Sequence, residues 1–361
     1  MTQREQQLLA WIRENPMISQ QELADKAGIT RSSVAVHISN LMKKGCIAGK
    51  GYILSTAPYA VVVGGVNMDI GGRSLGPLVA QDSNPGKVTM SLGGVGRNIA
   101  HDMRLMEVDT KLLTAFGDDV YAQKITASCG ELGIDVSQSL VVPGAATSTY
   151  LYISGPDGDM ALAMSDMEIY DLLTPAFLAS RSSLLNGAAA VVVDANIPEE
   201  SIAWLCDTCK APIFADPVST AKAPKLLPVL GKLHALKPNR LEAELLTGIR
   251  IHDEESLQRA ADALLSTGLR EVYISLGGDG ILAASHEGRC RVPCIPGSMV
   301  STTGCGDAGM AALVWAYLEG LDLQEAALAA MAAGSIAMES AETINPAMSR
   351  DALVSRMASA K

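Results

Sequence analysis

Ser301-Thr302-Thr303-Gly304-Cys305-Gly306-Asp307 runs directly into the Ala-rich apolar stretch Ala308–Leu318. Two glycines in a turn that opens a helix let main-chain N–H groups crowd together. The first four N–H groups of a helix have no partner inside it, and the dipole there favours negative charge. Asp307 falls in the first turn, so its carboxylate faces the same spot. A main-chain cradle for an anion beside an acid that can take a proton suits phosphoryl transfer to a hydroxyl, where a protein mostly positions groups and stabilises charge. The plainer alternative is a glycine-rich turn with an ordinary N-terminal Asp.

Upstream, Tyr59–Val66 is a continuous apolar run that reads as a strand buried on both faces. Similar runs recur at Lys111–Phe116, Ala189–Ala195, Pro212–Asp216, Leu233–Lys237 and Glu271–Leu276. Helical patterns fill the gaps at Arg97–Met106, Ala122–Leu132, Glu199–Lys210, Arg240–Leu246 and Leu257–Ser266. Strand then helix, repeated, predicts an α/β fold with a mostly parallel sheet covered on both faces. Such sheets bind ligands beyond the carboxyl ends of their strands. Two polar, turn-rich, β-like segments break the alternation, 73–92 and 141–164. In the second, Thr149–Ile153 and Met160–Met164 flank Pro156-Asp157-Gly158, a hairpin pattern. A small sheet projecting from the main one could cover a site or pair with a second copy.

At 361 residues with 48% hydrophobic content, the chain suits one large domain plus a small one. Seven Cys, an odd number, argue against a disulfide framework. Met1–Glu5 lacks the apolar core of a signal peptide, and the most apolar run is broken by Glu319, so a cytoplasmic protein is expected. The net charge of −11 argues against nucleic acid as the partner of the whole chain. It is unevenly spread. Residues 1–55 hold seven Lys/Arg against four acids, net +3, leaving −14 for the remainder.

That basic head carries Leu8, Leu9 and Ile12 at helical spacing before Asn15-Pro16, then Ser19 with Glu22 as a capping box, then Thr30 ahead of Arg31–Lys44. Val34, Ile38 and Leu41 would point inward, with Arg31, Ser32, Ser33, His37 and Asn40 outward. Cys46–Leu54 reads as a hairpin with Gly49-Lys50-Gly51 at its tip. Residues 1–55 therefore resemble a winged helix-turn-helix, whose third helix enters the major groove. The resemblance makes Arg31, Ser32, Ser33, His37 and Lys50 candidate DNA contacts, with a dimer needed for firm binding. A helical packing module that no longer reads DNA is the alternative.

Four more stretches carry candidate chemistry. Gly64-Gly65-Val66-Asn67-Met68-Asp69 ends the first strand with a carboxylate able to bind sugar hydroxyls, or only to cap. Gly93-Gly94-Val95-Gly96-Arg97-Asn98 half-matches a dinucleotide fingerprint, but Ile99 stands where the last Gly belongs. Close approach to a polyol, with Asn98 as donor and acceptor, fits as well. Asn239 and Glu242 share a face at a helix start, where they could order Mg²⁺ waters or simply form a capping box. Ser275-Leu276-Gly277-Gly278-Asp279-Gly280 could wrap a nucleotide or turn a hairpin into Ile281. Cys206-x-x-Cys209 lacks a second pair, so a zinc site is not expected.

In this order, the motifs of residues 58–361 resemble the PfkB (ribokinase-like) carbohydrate kinases. Within that family, Ser83–Lys87, Gly93–Ala100, Lys237–Glu244 and Asn345-Pro346 are similar to segments of pseudouridine kinases. The resemblance implies a three-layer α/β/α fold with a β lid, in relatives often pairing two subunits. It implies ATP-dependent phosphorylation of a primary hydroxyl on a ribonucleoside or sugar, pseudouridine or a close relative foremost. Asp307 would be the base, with Gly304, Cys305 and Gly306 supplying the anion hole. Asn67, Asp69, Gly93, Gly94 and Asn98 would hold the substrate. Asn239, Ser275, Gly277, Gly278, Gly280 and Asn345 would bind ATP, with Asn239 and Glu242 near Mg²⁺ through water. Many relatives carry Asp where this chain has Ser301, which puts K⁺ activation in question. The rival expectation is a transcriptional regulator that uses a kinase fold only to sense a sugar or nucleoside. An intact Asp307 and Asn239/Glu242 speak against it, because a sensor needs no base.

Overall fold

The computed structural model describes residues 1–49, 53–54 and 58–360. The chain divides into two compact units, Met1–Pro58 and Tyr59–Lys361.

In the first unit, helices Gln3–Glu14, Gln20–Ala27 and Arg31–Lys43 are opened by the hydroxyls of Thr2, Ser19 and Thr30. Thr2 and Ser19 form reciprocal capping boxes with Glu5 and Glu22, which satisfies two orphan N–H groups at each start. Leu8, Ile12, Leu23, Val34, Ile38 and Leu41 form the core. Glu5 is buried, and its carboxylate accepts a 2.7 Å ion pair from Lys44, tying the first helix to the end of the third. Strands Ile47–Gly49 and Ile53–Leu54 pair antiparallel. The expected hairpin tip with Lys50, and the joint residues Ser55–Ala57, lie outside the described residues.

The second unit is an α/β fold. Among the described residues, eight strands form its main sheet, in the order Arg289–Val292, Ile281–Ser285, Glu271–Ser275, Ala235–Leu236, Ile213–Asp216, Ala190–Asp194, Tyr59–Val63, Asp109–Leu113. The six from Glu271–Ser275 onward are parallel, and the first two are antiparallel. Alternate residues of the central strands feed two separate cores. Ala60, Val62, Val192 and Phe214 pack with Met103, Leu313 and Ile336 on one face. Val61, Val63, Val193 and Ala215 pack with Ile202, Val229 and Leu257 on the other. Helices thus cover both faces, which is why these strands read as unbroken apolar runs.

Several boundaries differ from the sequence reading. The first strand stops at Val63, because Gly64 and Gly65 turn over the buried Asp194, whose Oδ2 accepts the Gly65 N–H at 2.8 Å. Asp69 consequently sits within a lid strand, Asn67–Ser74, and not at the edge of the main sheet. Helices Leu323–Ala337 and Arg350–Ser359, strand Arg289–Val292 and the 3-10 stretch Ala223–Lys232 have no counterpart in the sequence reading. The glycine turn at Gly277–Gly280 does lead a hairpin into Ile281–Ser285.

The lid is a second sheet in the order Met160–Asp166, Thr149–Ser154, Asn67–Ser74, Gly86–Gly93. Its register sorts side chains by face. Met90, Ile70, Leu151 and Met164 align across the strands, as do Val88, Gly72, Ile153 and Leu162. Several of these are strongly exposed, Val88 at 72%, Leu162 at 62% and Met164 at 66%. The opposite face aligns Asp69 with Ser91 and Tyr150, and Gly71 with Tyr152.

Candidate active site

The strand ends bring four chain segments together. Gly304 stands at φ +84°, and a Cβ there would collide with the Thr343 carbonyl. Only glycine fits both demands, so the turn is tight and opens helix Cys305–Glu319 without any side-chain cap. The Cys305 N–H reaches the Thr302 carbonyl at 3.4 Å, and the Gly306 and Asp307 amides are left for an anion. Gly306 has open space above it apart from Lys237 Nζ, 3.7 Å from where its Cβ would lie. Asp307 follows, partly open to solvent.

Three buried polar residues converge on Asp307. Asn98, on helix Val95–Leu105, donates Nδ2 to Asp307 Oδ2 at 2.8 Å. Lys237 leaves the end of strand Ala235–Leu236 and pairs with Asp216 at 3.2 Å. Asp216 and Asp194 end two neighbouring parallel strands, in register with each other. Burial pushes the Asp307 carboxyl up to about 7, aided by Asp216, while the Asn98 hydrogen bond and the Lys237 charge restrain it. Burial would lower Lys237, but Asp216 and then Asp307 outweigh it and hold the ammonium above its usual range. Lys237 thus stays charged beside the uncapped amides.

The Gly93–Asn98 run forms the facing wall. Gly94 stands at φ +99°, and a Cβ there would lie 2.5 Å from Val66 Cα. A Cβ at Gly93 would strike the Asp69 carboxylate. The two glycines therefore let the lid strand and the helix start close together, with Asp69 between them. Asn67 donates Nδ2 to Asp69 Oδ1. Burial raises Asp69 to about 6 against the opposing pull of Asn67 and Arg97. Asn67, Asp69, Gly93, Gly94 and Asn98, from two distant sequence stretches, meet at one wall.

The expected nucleotide residues gather at adjacent strand ends. Asn239 bridges to Ser275, and Ser275 N donates to the Pro238 carbonyl at 2.9 Å. Gly277 takes φ +60°, and both it and Gly278 have open space where a Cβ would go. Gly280, at φ +86°, packs against the Val292 carbonyl, so its role in the turn is steric. Asn239 and Glu242 form a complete capping box, with Glu242 Oε2 accepting the Asn239 N–H at 2.8 Å. Both readings of that pair stay compatible, since the second carboxylate oxygen is not part of the box. Asn345 is turned into the fold. Its Nδ2 donates to Ile336 O at 2.6 Å and its Oδ1 accepts the Ala347 N–H. Ser301 Oγ accepts the Thr303 N–H at 3.2 Å and so holds the approach to the glycine turn.

Among the described residues, no three His, Cys, Asp or Glu side chains cluster to cage a metal ion. Asp216, Asp307 and Glu242 all act on the charge of Lys237, and their carboxylates are hard oxygen donors. That set suits Mg²⁺ bound through phosphates and water. Lys237, Asp216, Asp194 and Asn196 were not picked from sequence. Asn196 lies against Gly65, its Nδ2 3.0 Å from a Cβ placed there, and accepts from Lys222 Nζ. A usable signal existed: Asp194 and Asp216 each close a buried apolar run at the sheet's ligand-binding edge.

Residues 57–350 match the family model described as pfkB family carbohydrate kinase. The chain belongs to the PfkB family of carbohydrate kinases. Residues 1–48 match a winged helix-turn-helix DNA-binding model. The chain is 37% identical to the uncharacterized sugar kinase YeiI of Escherichia coli K12 over 97% of this chain and 98% of that protein. It is 38% identical to pseudouridine kinase of the same organism, over 81% and 94%. A carbohydrate kinase from Agrobacterium tumefaciens superposes with a TM-score of 0.73 at 25% identity, covering 84% of this chain and 97% of that one. Ribokinase from Thermotoga maritima, at 20% identity, shares the fold with a TM-score of 0.76 over 84% and 100%. This PfkB protein is an ATP-dependent sugar or nucleoside kinase with a winged helix-turn-helix unit at its N-terminal end.

In that head, Arg31, Ser32 and Ser33 are exposed along the start of the third helix. His37 is half-buried and its Nδ1 has no partner.

Proposed function

We propose that this kinase transfers the terminal phosphoryl group of ATP to the primary, 5′-type hydroxyl of pseudouridine or a closely related ribonucleoside, with Asp307 as base. One observation carries the reading. A carboxylate poised near neutrality stands in the first turn of an uncapped helix, with an ammonium beside the amides. A general base works best with a pKa near the working pH. Asp307 takes the hydroxyl proton as the oxygen attacks. Asn98 holds the carboxylate in line by its 2.8 Å hydrogen bond. The amides of Gly306 and Asp307, with Lys237, face the charge that develops on the phosphoryl oxygens. Asn67 and Asp69 receive ribose hydroxyls against Gly93 and Gly94, and the lid's polar face excludes water. Asn239, Ser275, Gly277 and Gly278 line the nucleotide, with Asn345 as a wall of the loop behind the glycine turn. Mg²⁺, when bound, neutralises phosphate charge, and Asn239 and Glu242 order its waters.

The 38% identity to pseudouridine kinase across 94% of that protein's length supports the choice of nucleoside. The exposed apolar face of the lid, aligned in two rows across four strands, supports a homodimer built on it. A nucleoside and sugar panel scored for ADP release with Mg²⁺ tests the substrate. Running it with and without K⁺ decides the consequence of Ser301. Ribose turned over faster than every nucleoside would overturn the assignment.

A second reading has its own support in the basic, capped three-helix head: a regulator that senses the nucleoside through the kinase unit. Ligand-dependent DNA binding without ATP turnover would favour it. The two activities are compatible in one chain.

A further inference from the structure

Two buried oxygens near the proposed base have no hydrogen-bond donor. Asn98 gives its Nδ2 to Asp307, which leaves Asn98 Oδ1 buried and unpartnered. Asp102 is only 1% exposed, and its Oδ2 is likewise unpartnered. Both residues lie on helix Val95–Leu105, four apart, so their side chains sit one above the other on the same face. Turning the Asn98 amide over offers no escape, since Oδ1 would then oppose the Asp307 carboxylate. A buried acceptor left without a donor costs on the order of 1–3 kcal/mol. Two stacked acceptors need one proton between them.

We propose that Asp102 is a positioning residue: its protonated carboxyl donates to Asn98 Oδ1 and thereby fixes the amide that aims Nδ2 at Asp307. Burial, and then the charge of Asp307, hold the Asp102 carboxyl well above the usual carboxylate range, which keeps that proton in place at neutral pH. Arg97 does not neutralise it, because its guanidinium donates to Leu92 O and Ser128 Oγ. Cys305, at the start of the facing helix, would be raised further by any charge on Asp102 and is itself kept as a thiol by burial. Asp307 and Cys305 are thus the titratable groups that face Asp102 from the facing helix, with no cation among them.

The inference rests on the kinase reading for its catalytic consequence, but its proton can be tested apart from it. Infrared difference spectra of the wild-type protein against Asp102→Asn, taken at pH 9 where Asp307 is ionised, should show a protonated-carboxyl band that the variant lacks. No such band means an ionised Asp102 and overturns the proposal, whatever the enzyme turns over. On the kinetic side, Asp102→Leu should lower kcat by on the order of tenfold with the KM for ATP unchanged, the loss expected for one misplaced hydrogen bond. Asp102→Asn, whose amide can donate to Asn98 Oδ1, should restore most of that loss. Equal losses in both variants, or a loss confined to KM, would overturn it. Failure of the wild type to release ADP with any substrate would instead sink the kinase reading and leave the spectroscopic result standing.

Discussion

Replacing Asp307 by Asn should do two opposite things. The amide keeps the shape and can still accept the Asn98 hydrogen bond, but it cannot take a proton. Loss of a positioned base costs about 10²–10⁴-fold, and here geometry and charge change together, so we expect kcat to fall by on the order of 10³ or more. Stability should rise. In the wild type, burial lifts the carboxyl from 3.8 to about 7. The folded state therefore binds this proton more tightly than the unfolded state, and stability declines as pH climbs from about 4 to 7. Three units correspond to a ceiling of about 4 kcal/mol. Because the side chain is partly open to solvent, we take about 2 kcal/mol as the gain in the variant above pH 7, or a few degrees in Tm. The gain should fade below pH 4, where the wild-type carboxyl is neutral as well. Coupled ADP release and thermal melts at pH 4 and pH 8 read both effects. Turnover within tenfold of wild type would refute Asp307 as base. Equal melting temperatures at pH 8 would refute the charge imposed on a low-dielectric site. In the wild type the same group should give a kcat/KM that rises with pH and levels off above about 7.

Lys237→Met should lower kcat by on the order of 10²-fold, since it removes a charge beside the amides and leaves buried Asp216 unpaired; a change confined to stability, seen by comparing melts with ADP release, would contradict that. Gly304→Ala should destabilise the protein by at least about 1–2 kcal/mol and depress activity, because φ is +84° and the Thr343 carbonyl blocks a Cβ; a thermal melt unchanged from wild type would count against the tight turn. Leu162→Asp on the exposed lid face should convert a dimer into monomer by light scattering, and an unchanged mass would remove that face from the interface. Arg31→Ala should weaken binding to a mixed-sequence DNA duplex several-fold and lower its salt slope by about 1, whereas an unaltered slope would leave Arg31 off the phosphates.

How far the sequence reaches is clearest at Asp307. Its place in a first turn after two glycines follows from local chemistry alone, as do the caps at Ser19, Thr30 and Asn239, because these depend on neighbours within four residues. The alternation of apolar strands with helices likewise settled a parallel sheet with two covered faces. Where the pattern was weak, the fold stayed hidden. Helix Leu323–Ala337 is apolar nearly all round, so it shows no stripe to read. The strand Asn67–Ser74 begins right after Gly64-Gly65, and nothing local says that it leaves the main sheet.

The tertiary structure alone decided which groups meet. Lys237 looks like an ordinary strand-end lysine until the sheet sets Asp216 beside it and the glycine turn above it. Asn98 and Asp307 lie 209 positions apart and share one hydrogen bond. Asp102 is a polar residue on a helix until packing buries it without a donor. Sequence fixes what a residue can do with its neighbours along the chain. The charge state and partner of a buried group depend on what surrounds it in space, because burial and long-range contacts set the free energy of its proton.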